Sequence, residues 1–224
     1  VDDMGSSLRI EWYGHAYFLV KYDDYSIAID PHDGGSLNLP EFRIKADAVL
    51  VTHNHYDHNA VEMVEAREVV KWRKGSFQLG PFKVEGIQAY HDKSMGKLRG
   101  EDIIYRLEAG SFSIVHVGDL GHIPEGDVLE KLKGVSILMV PVGGTYTIDA
   151  EEAWELVTKT EPRLVIPMHY WVPYSTLPLD PLDKFLSISK ARRLRLDSRV
   201  LEVTLDDIPD KTTVVIMPPP TKKR

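Results

Sequence analysis

The sequence contains no cysteine among its 224 residues. Without cysteine there are no disulfides and no thiolate metal ligands, so any metal ion must be held by imidazole and carboxylate groups. Such a donor set suits a catalytic metal site better than a structural one.

Two further features are missing, a basic excess and a long apolar run. The formal net charge is −7, whereas a surface that follows the phosphates of a long nucleic acid needs a strong excess of Lys and Arg. No run reaches the roughly 18 apolar residues that span a bilayer, and Val1–Met4 lack the basic and apolar regions of a signal peptide. We therefore expect a cytoplasmic protein whose partners include neither a membrane nor a long nucleic acid.

Hydrophobic residues make up 43% of the chain, which is enough for an ordinary globular core. Short apolar runs alternate with polar loops, and no linker, repeat or low-complexity insert interrupts them. We therefore predict a single α/β domain over residues 1–224.

The apolar runs predict mostly strands. Ala48–Thr52 has the continuous apolar pattern of a strand buried on both faces, and Asn59 is a candidate cap for a helix over about residues 60–71. Asp149 and Glu152 form a capping box that begins a further helix. Other strands are predicted within residues 8–20 and over 26–30, 87–90, 103–107, 112–117, 137–141, 164–167, 200–204 and 212–217; the helices besides 60–71 cover about 127–133, 149–158 and 181–190, and residues 218–224 form a frayed, solvated tail.

Four side chains of metal-ligand type lie within six residues directly after the strand at Ala48–Thr52, namely His53, His55, Asp57 and His58. On extended backbone His53 and His55 point the same way, because side chains alternate with a period of two, so they can bind one ion together. A turn of helix over the next residues aims Asp57 and His58 at a second ion, about 3.5–4 Å away as in two-metal hydrolases. The alternative is a loop of capping and surface histidines.

Three further candidate ligands each follow a predicted strand. His91, Asp119 and His169 come shortly after three of the apolar runs. Taken singly, they also fit a loop histidine, a turn-forming aspartate and a hydrogen-bonded core imidazole. Their common position, in a chain that already carries the histidine cluster, indicates a shared metal site.

The ordered motif H-x-H-x-D-H, followed by His, Asp and His, resembles the metallo-β-lactamase superfamily over about residues 15–171. Shorter segments further resemble the branch that contains ascorbate-6-phosphate lactonase and related Zn-dependent hydrolases. These segments are Trp12–Ala16, Ile29–Pro31, Gly118–His122 and Pro141–Gly144.

This resemblance implies a four-layer α/β/β/α sandwich with the site at one edge between the sheets. It also implies how two divalent metal ions share the ligands: His53, His55 and His91 hold one ion, Asp57, His58 and His169 hold the other, and Asp119 bridges them. Zn²⁺ is the first expectation, with Mn²⁺, Fe²⁺ and Ni²⁺ as alternatives, because imidazole and carboxylate ligands accept all four.

The expected function is metal-dependent hydrolysis of a small-molecule lactone or phosphoester. Two cations that share a water lower its pKa toward neutrality, so a bridging hydroxide supplies the nucleophile without Ser or Cys. Asp57 is a candidate catalytic residue that orients this nucleophile and passes its proton to the leaving group. Two alternatives stay open, a phosphodiesterase that acts on nucleotides or short nucleic acid and a metal-binding regulator without catalysis.

Several other polar residues have two interpretations each. His15 and His122 lie beside glycines at strand ends, where they can support the ligands or contact substrate, or serve only as hydrogen-bonded structural residues. Asp30 before Pro31 can orient a metal-bound histidine or simply begin a turn. The segment 92–100 carries three cations and can form a mobile flap over an anionic substrate, or a solvated loop. A homo-oligomer is compatible with the sequence.

Overall fold

The computed structural model describes residues 5–222. Val1–Met4, where no signal peptide is expected, and Lys223–Arg224, at the end of the expected tail, lie outside the described residues. Within residues 5–222, no helix is long and apolar enough to cross a membrane.

Strands dominate the described part of the chain, and the α-helices are short. The helices are α1 (Gly126–Leu132), α2 (Ala150–Thr160) and α3 (Leu182–Ile188). The strands, in chain order, are β1 (Leu8–Trp12), β2 (Phe18–Tyr22), β3 (Tyr25–Ile29), β4 (Ile44–Lys45), β5 (Ala48–Val51), β6 (Val64–Glu65), β7 (Glu68–Lys71), β8 (Gly75–Leu79), β9 (Phe82–Tyr90), β10 (Glu101–Ala109), β11 (Phe112–His116), β12 (Ile137–Pro141), β13 (Leu164–Met168), β14 (Arg192–Arg195), β15 (Val200–Val203) and β16 (Thr213–Ile216).

The strands form two large sheets. One is six-stranded with the order β15-β1-β2-β3-β5-β7, and the other is eight-stranded with the order β14-β16-β13-β12-β11-β10-β9-β8. The inner faces of the two sheets pack on each other: the ring of Tyr22 in β2 lies 6.3 Å from that of Phe82 in β9 and 6.1 Å from that of Phe112 in β11, between centroids. The predicted α/β sandwich is confirmed.

The outer faces of the two sheets are covered differently. Ala153 and Leu156 of α2 belong to the main hydrophobic cluster together with β12 and β13, which are buried along their whole length. On the outer face of the six-stranded sheet, a second cluster joins Val49 and Val51 to Val64. Over residues 5–222 this outer layer contains loops, 3₁₀ turns and the β4–β6 pair, so the helical content of the sandwich is low.

The prediction of a helix over residues 60–71 is wrong. The chain forms a 3₁₀ turn at Val61–Met63, then β6, and then β7, which pairs parallel with β5. Val69 and Val70 are β-branched and lie beside an edge of β5 that β7 alone fills. Strand pairing therefore overrides the helical spacing of the valines.

The other predicted helices are confirmed, with bounds that shift by a few residues. The capping box of α2 is present, because Asp149 accepts from the Glu152 N–H at 2.9 Å and the Asp149 N–H donates to the Glu152 carboxylate at 3.3 Å. The expected solvated tail is wrong for Pro220, which is buried. Its ring packs against Gly14, whose φ of +89° belongs to a turn that favours glycine.

Candidate metal centre

The predicted ligands meet at one edge of the sandwich because the strands before them run in the same direction. In the six-stranded sheet, β3 and β5 are parallel. In the eight-stranded sheet, β11 and β13 run parallel to β12, and β9 and β11 are both antiparallel to β10. Residues that follow the carboxyl ends of these strands therefore lie close together.

One group of ligand atoms belongs to His53, His55, His91 and Asp119. These atoms all lie within 4.8 Å of one another. His55 is half-buried, and the other three side chains are buried. The group brings together two histidines of the first motif with one later histidine and one later aspartate.

A second group of ligand atoms belongs to His15, Asp57, His58 and His169. These atoms also lie within 4.8 Å of one another, and all four side chains are buried. His15 joins the predicted ligands in this group, and its Nε2 lies 2.8 Å from Asp57 Oδ2, so it contacts a candidate ligand directly.

Asp119 lies between the two groups. Its Oδ2 is 3.0 Å from Nε2 of His91, in the first group, and 3.0 Å from Nε2 of His58, in the second. Its Oδ1 is 3.2 Å from Nε2 of His169. One carboxylate thus faces imidazoles of both groups, which is the arrangement that a bridging ligand requires.

The buried ligand atoms lack ordinary partners. Within residues 5–222, Nε2 of His53, His58 and His169 and Oδ1 of Asp119 are buried without a hydrogen bond. Leaving a buried polar atom unpaired costs about 1–3 kcal/mol, and coordination of a cation removes that cost. The donor set and its unpaired atoms therefore fit divalent metal ions.

Backbone strain marks the same edge of the sandwich. His15, Asp30 and His169 have φ values of 55°, 49° and 52°, in the left-handed region that costs a non-glycine residue about 1–2 kcal/mol. The carbonyl of His15 accepts hydrogen bonds from Trp12 Nε1 at 3.1 Å and from the His169 N–H at 3.2 Å. The bond between His169 and His15 joins segments that follow different sheets, and it helps to hold these two strained residues in place.

Asp30 fixes the orientation of His58. Its Oδ2 accepts from His58 Nδ1 at 2.9 Å and from Thr52 Oγ1 at 2.6 Å, and its Oδ1 accepts from the Thr52 N–H at 2.8 Å. A proton held on Nδ1 leaves Nε2 free to ligate. Of the two interpretations of Asp30, the contacts support the orienting role.

Asp102 is a supporting residue that the sequence analysis missed. It is fully buried near the start of β10, where its Oδ1 accepts from the Asp119 N–H at 2.9 Å and lies 3.4 Å from His53 Nδ1. A Cβ on Gly118 would lie 2.2 Å from the same oxygen, so only glycine fits there. A carboxylate in an apolar strand was the available signal, because buried charges need partners.

The carboxylates favour a protonated His53 in the absence of an ion. Burial and the neighbouring His58 lower the pKa of His53, but the carboxylates of Asp119 and Asp102 outweigh them and raise it to about 9. An ion that binds His53 must therefore displace a proton at neutral pH.

His15 has the opposite electrostatic environment. Burial and the neighbouring His169 lower the pKa of His15 to about 3. Burial opposes ionisation of Asp57, yet His58 and His15 hold the pKa of that carboxyl well below its usual range. A neutral His15 thus donates from Nε2 to an ionised Asp57.

His122 lies apart from both groups of ligand atoms. Its Nε2 accepts from the Tyr90 N–H at 3.2 Å, so it supports the strand end that presents His91. Its contact with substrate stays a prediction. His32 and His116 are buried, and the Nδ1 atom of each accepts a backbone N–H two residues later, which are structural contacts.

A cavity of about 310 Å³ opens onto the ligand atoms. This volume lies at the lower end of the range for small-molecule sites. The cavity is lined by His55, Tyr56, Asp57, His91, Arg99, Asp119, Tyr146 and Leu177.

The segment 92–100 is a hydrogen-bonded loop, and its residue Arg99 lies at this cavity. The Asp92 carboxylate organises it by accepting four backbone N–H groups, at 2.7–2.9 Å, from Ser94, Gly96, Leu98 and Arg99. Lys93 forms an ion pair with Glu152 at 3.0 Å. Of the three cations in the segment, Arg99 lines the cavity.

Residues 9–169 match the family model of the beta-lactamase superfamily domain. Together with the sandwich and its two groups of ligands, this match defines the class of protein. The chain belongs to the metallo-β-lactamase superfamily, and within it to the UPF0173 family of metal-dependent hydrolases.

Several similar proteins match this chain over most of their own length. A UPF0173 protein of Pyrococcus abyssi is 34% identical, over 73% of this chain and 83% of its own length. A UPF0173 metal-dependent hydrolase of Carboxydothermus hydrogenoformans is 28% identical, over 87% of this chain and 96% of its own length. A Thermotoga maritima protein with a crystal structure, assigned to the Zn-dependent hydrolases of the metallo-β-lactamase superfamily, is 31% identical in sequence. The two structures align with a TM-score of 0.78 over 94% of this chain and 98% of the Thermotoga chain. These similarities confirm the predicted fold.

Proposed function

We propose that this protein is a hydrolase that binds two divalent metal ions and cleaves a lactone or phosphoester bond of a small molecule. The observation that carries the proposal is the position of Asp119 between two groups of ligand atoms at the wall of a cavity. The names of the relatives, which are metal-dependent hydrolases, support the same class of reaction.

The ligands divide between two ions in this proposal. His53, His55 and His91 would hold one ion, Asp57, His58 and His169 would hold the other, and Asp119 would be shared between them. When bound, such ions lower the pKa of a shared water and polarise the oxygen of the bond to be cleaved. Zn²⁺ suits the imidazole and carboxylate donors, with Mn²⁺, Fe²⁺ and Ni²⁺ as alternatives.

Asp57 is the proposed residue for proton transfer. Its side chain lines the cavity, and its ionised carboxylate can accept a proton from the attacking water and return it to the leaving group. His15 is a positioning residue, because its Nε2 holds Asp57 Oδ2 at 2.8 Å and it stands outside the lining of the cavity. The Asp57→Asn variant should lose activity by about a hundredfold or more. Full activity with full metal content would exclude this role.

A small substrate fits the cavity better than a polymer. A volume of about 310 Å³ accommodates a small molecule, and the net charge of −7 opposes binding of long nucleic acid. The resemblance of four segments to the ascorbate-6-phosphate lactonase branch supports a lactone as the first substrate class to test. A cytoplasmic location and a homo-oligomeric state stay predictions.

The decisive experiment is a substrate screen on metal-free protein reconstituted with each of the four metals. Lactones, phosphomonoesters and phosphodiesters are compared, with the Asp119→Ala variant as the inactive control. Metal-dependent turnover of a lactone or phosphomonoester is the expected result. Selective turnover of phosphodiesters would favour the nucleotide phosphodiesterase instead, and tight metal binding without turnover of any class would favour a regulator.

A further inference from the structure

The rim of the cavity contains one positively charged side chain without an acidic partner. Across residues 5–222, no carboxylate oxygen lies within 4.0 Å of the Arg99 guanidinium. Lys93, in the same loop, is by contrast paired with Glu152. Arg99 also lines a second cavity of about 220 Å³ that shares His55 with the first. Arg99 therefore borders both cavities at the proposed metal centre.

Contacts within the loop and with Tyr146 fix the position of Arg99. Its backbone N–H donates to Asp92 Oδ2 at 2.8 Å. Its guanidinium lies over the ring of Tyr146 with 5.7 Å to the centroid, a contact that orients the guanidinium plane. Because Asp92 directly follows His91, the loop ties Arg99 to a proposed metal ligand.

We propose that Arg99 binds an anionic group of the substrate at the mouth of the cavity and thereby selects negatively charged substrates. The inference rests on the proposed function and adds the charge of the substrate to it. A planar guanidinium binds the paired oxygens of a phosphate or carboxylate with two parallel hydrogen bonds. The nearby Tyr146 and Leu177 line the same cavity, so the part of the substrate beside the anion is apolar.

Binding measurements test this inference independently of turnover. Phenylphosphonate and benzoate serve as anionic probes and benzamide as the neutral probe, each titrated by calorimetry into metal-reconstituted protein. The Arg99→Ala variant is compared with wild type. Its matched control is Lys97→Ala, since Lys97 is an exposed cation of the same loop that does not line either cavity. Metal content and melting midpoint are measured for both variants.

Arg99→Ala should weaken the binding of at least one anionic probe by about tenfold and leave benzamide unchanged. A loss of affinity for phenylphosphonate alone identifies phosphate as the recognised group. A loss of affinity for benzoate as well extends the recognised groups to carboxylates. Lys97→Ala should leave the affinity for all three probes unchanged. The inference would be overturned if Arg99→Ala weakened benzamide binding as much as anion binding, or if both variants lost the same affinity for the anions. It would also be overturned if the wild-type protein bound neither anion. If anion selection is observed but the screen finds no turnover, the proposed hydrolysis fails while the anion site stands.

Discussion

Substitution of Asp30 by Asn tests whether a buried carboxylate sets the metal affinity of His58. Asp30 is fully buried and accepts hydrogen bonds from three donors, which are His58 Nδ1, Thr52 Oγ1 and the Thr52 N–H. Asn keeps the size of the side chain and one acceptor oxygen. It removes the charge and places an NH₂ group where one carboxylate oxygen was.

The expected loss follows from the tautomer of the imidazole. If the Asn oxygen keeps the Thr52 N–H, its NH₂ group faces His58 Nδ1, which lies 2.9 Å from the replaced oxygen. Two donors cannot pair, so the proton moves to Nε2, the atom proposed to ligate. Loss of such a supporting carboxylate typically lowers metal affinity by about 10–100-fold, which corresponds to roughly 1.4–2.7 kcal/mol.

The measurement is metal affinity and stoichiometry by competition with a chromophoric chelator. Asp47→Asn is the matched control, because Asp47 also accepts a backbone N–H, from Ser26 at 2.9 Å, but lies at the opposite end of β5. Asp30→Asn should weaken binding of the ion that His58 is proposed to hold, and Asp47→Asn should leave metal affinity unchanged. Wild-type metal affinity in Asp30→Asn would refute the orienting role of Asp30.

Two further predictions concern protons and the contact between the sheets. The pKa of His53 without an ion is raised from 6.5 to about 9, so a proton competes with the metal. Metal affinity should therefore rise with pH between these values and level off above about pH 9. Chelator competition at several pH values measures this dependence, and a metal affinity that does not change with pH would contradict the prediction. Tyr105→Phe removes a buried hydroxyl that donates to the Val51 carbonyl and accepts the Arg73 N–H, both at 3.1 Å. The free energy of unfolding, measured by urea denaturation, should fall by about 1–3 kcal/mol. An unchanged midpoint of urea denaturation would argue against a stabilising role of this contact.

Most of the candidate site could be predicted from the sequence, because its ligands follow local signals. The run Ala48–Val51 is apolar enough to mark a buried strand without knowledge of its neighbours. The histidines and aspartate directly after it are of a type that a solvated loop does not need. His169 after Leu164–Met168 follows the same logic, since parallel strands present their carboxyl ends at one edge.

The features that could not be predicted depend on residues distant in sequence. Val69 and Val70 form part of β7 because β5 offers them an edge, and that edge is set by the sheet order rather than by the spacing of the valines. Asp102 supports Asp119 and His53, and its place beside an apolar run signals burial without showing which distant residues it contacts. Among the cations of segment 92–100, the backbone bonds to Asp92 decide that Arg99 lines the cavity.

Formation of the site and packing of the sheets are physically coupled. His53 and His58 follow β5 in the six-stranded sheet, whereas Asp119 and His169 follow β11 and β13 in the eight-stranded sheet. Ions bound as proposed would therefore connect the two sheets at the edge where His15 and His169 have strained backbone. Metal binding to the folded state alone would add stability, about 2.7 kcal/mol at a hundredfold excess over Kd, which offsets the strain of about 1–2 kcal/mol of one left-handed residue. The contacts that close the sandwich thus also preorganise the imidazoles, and bound ions would in turn stabilise the closed edge.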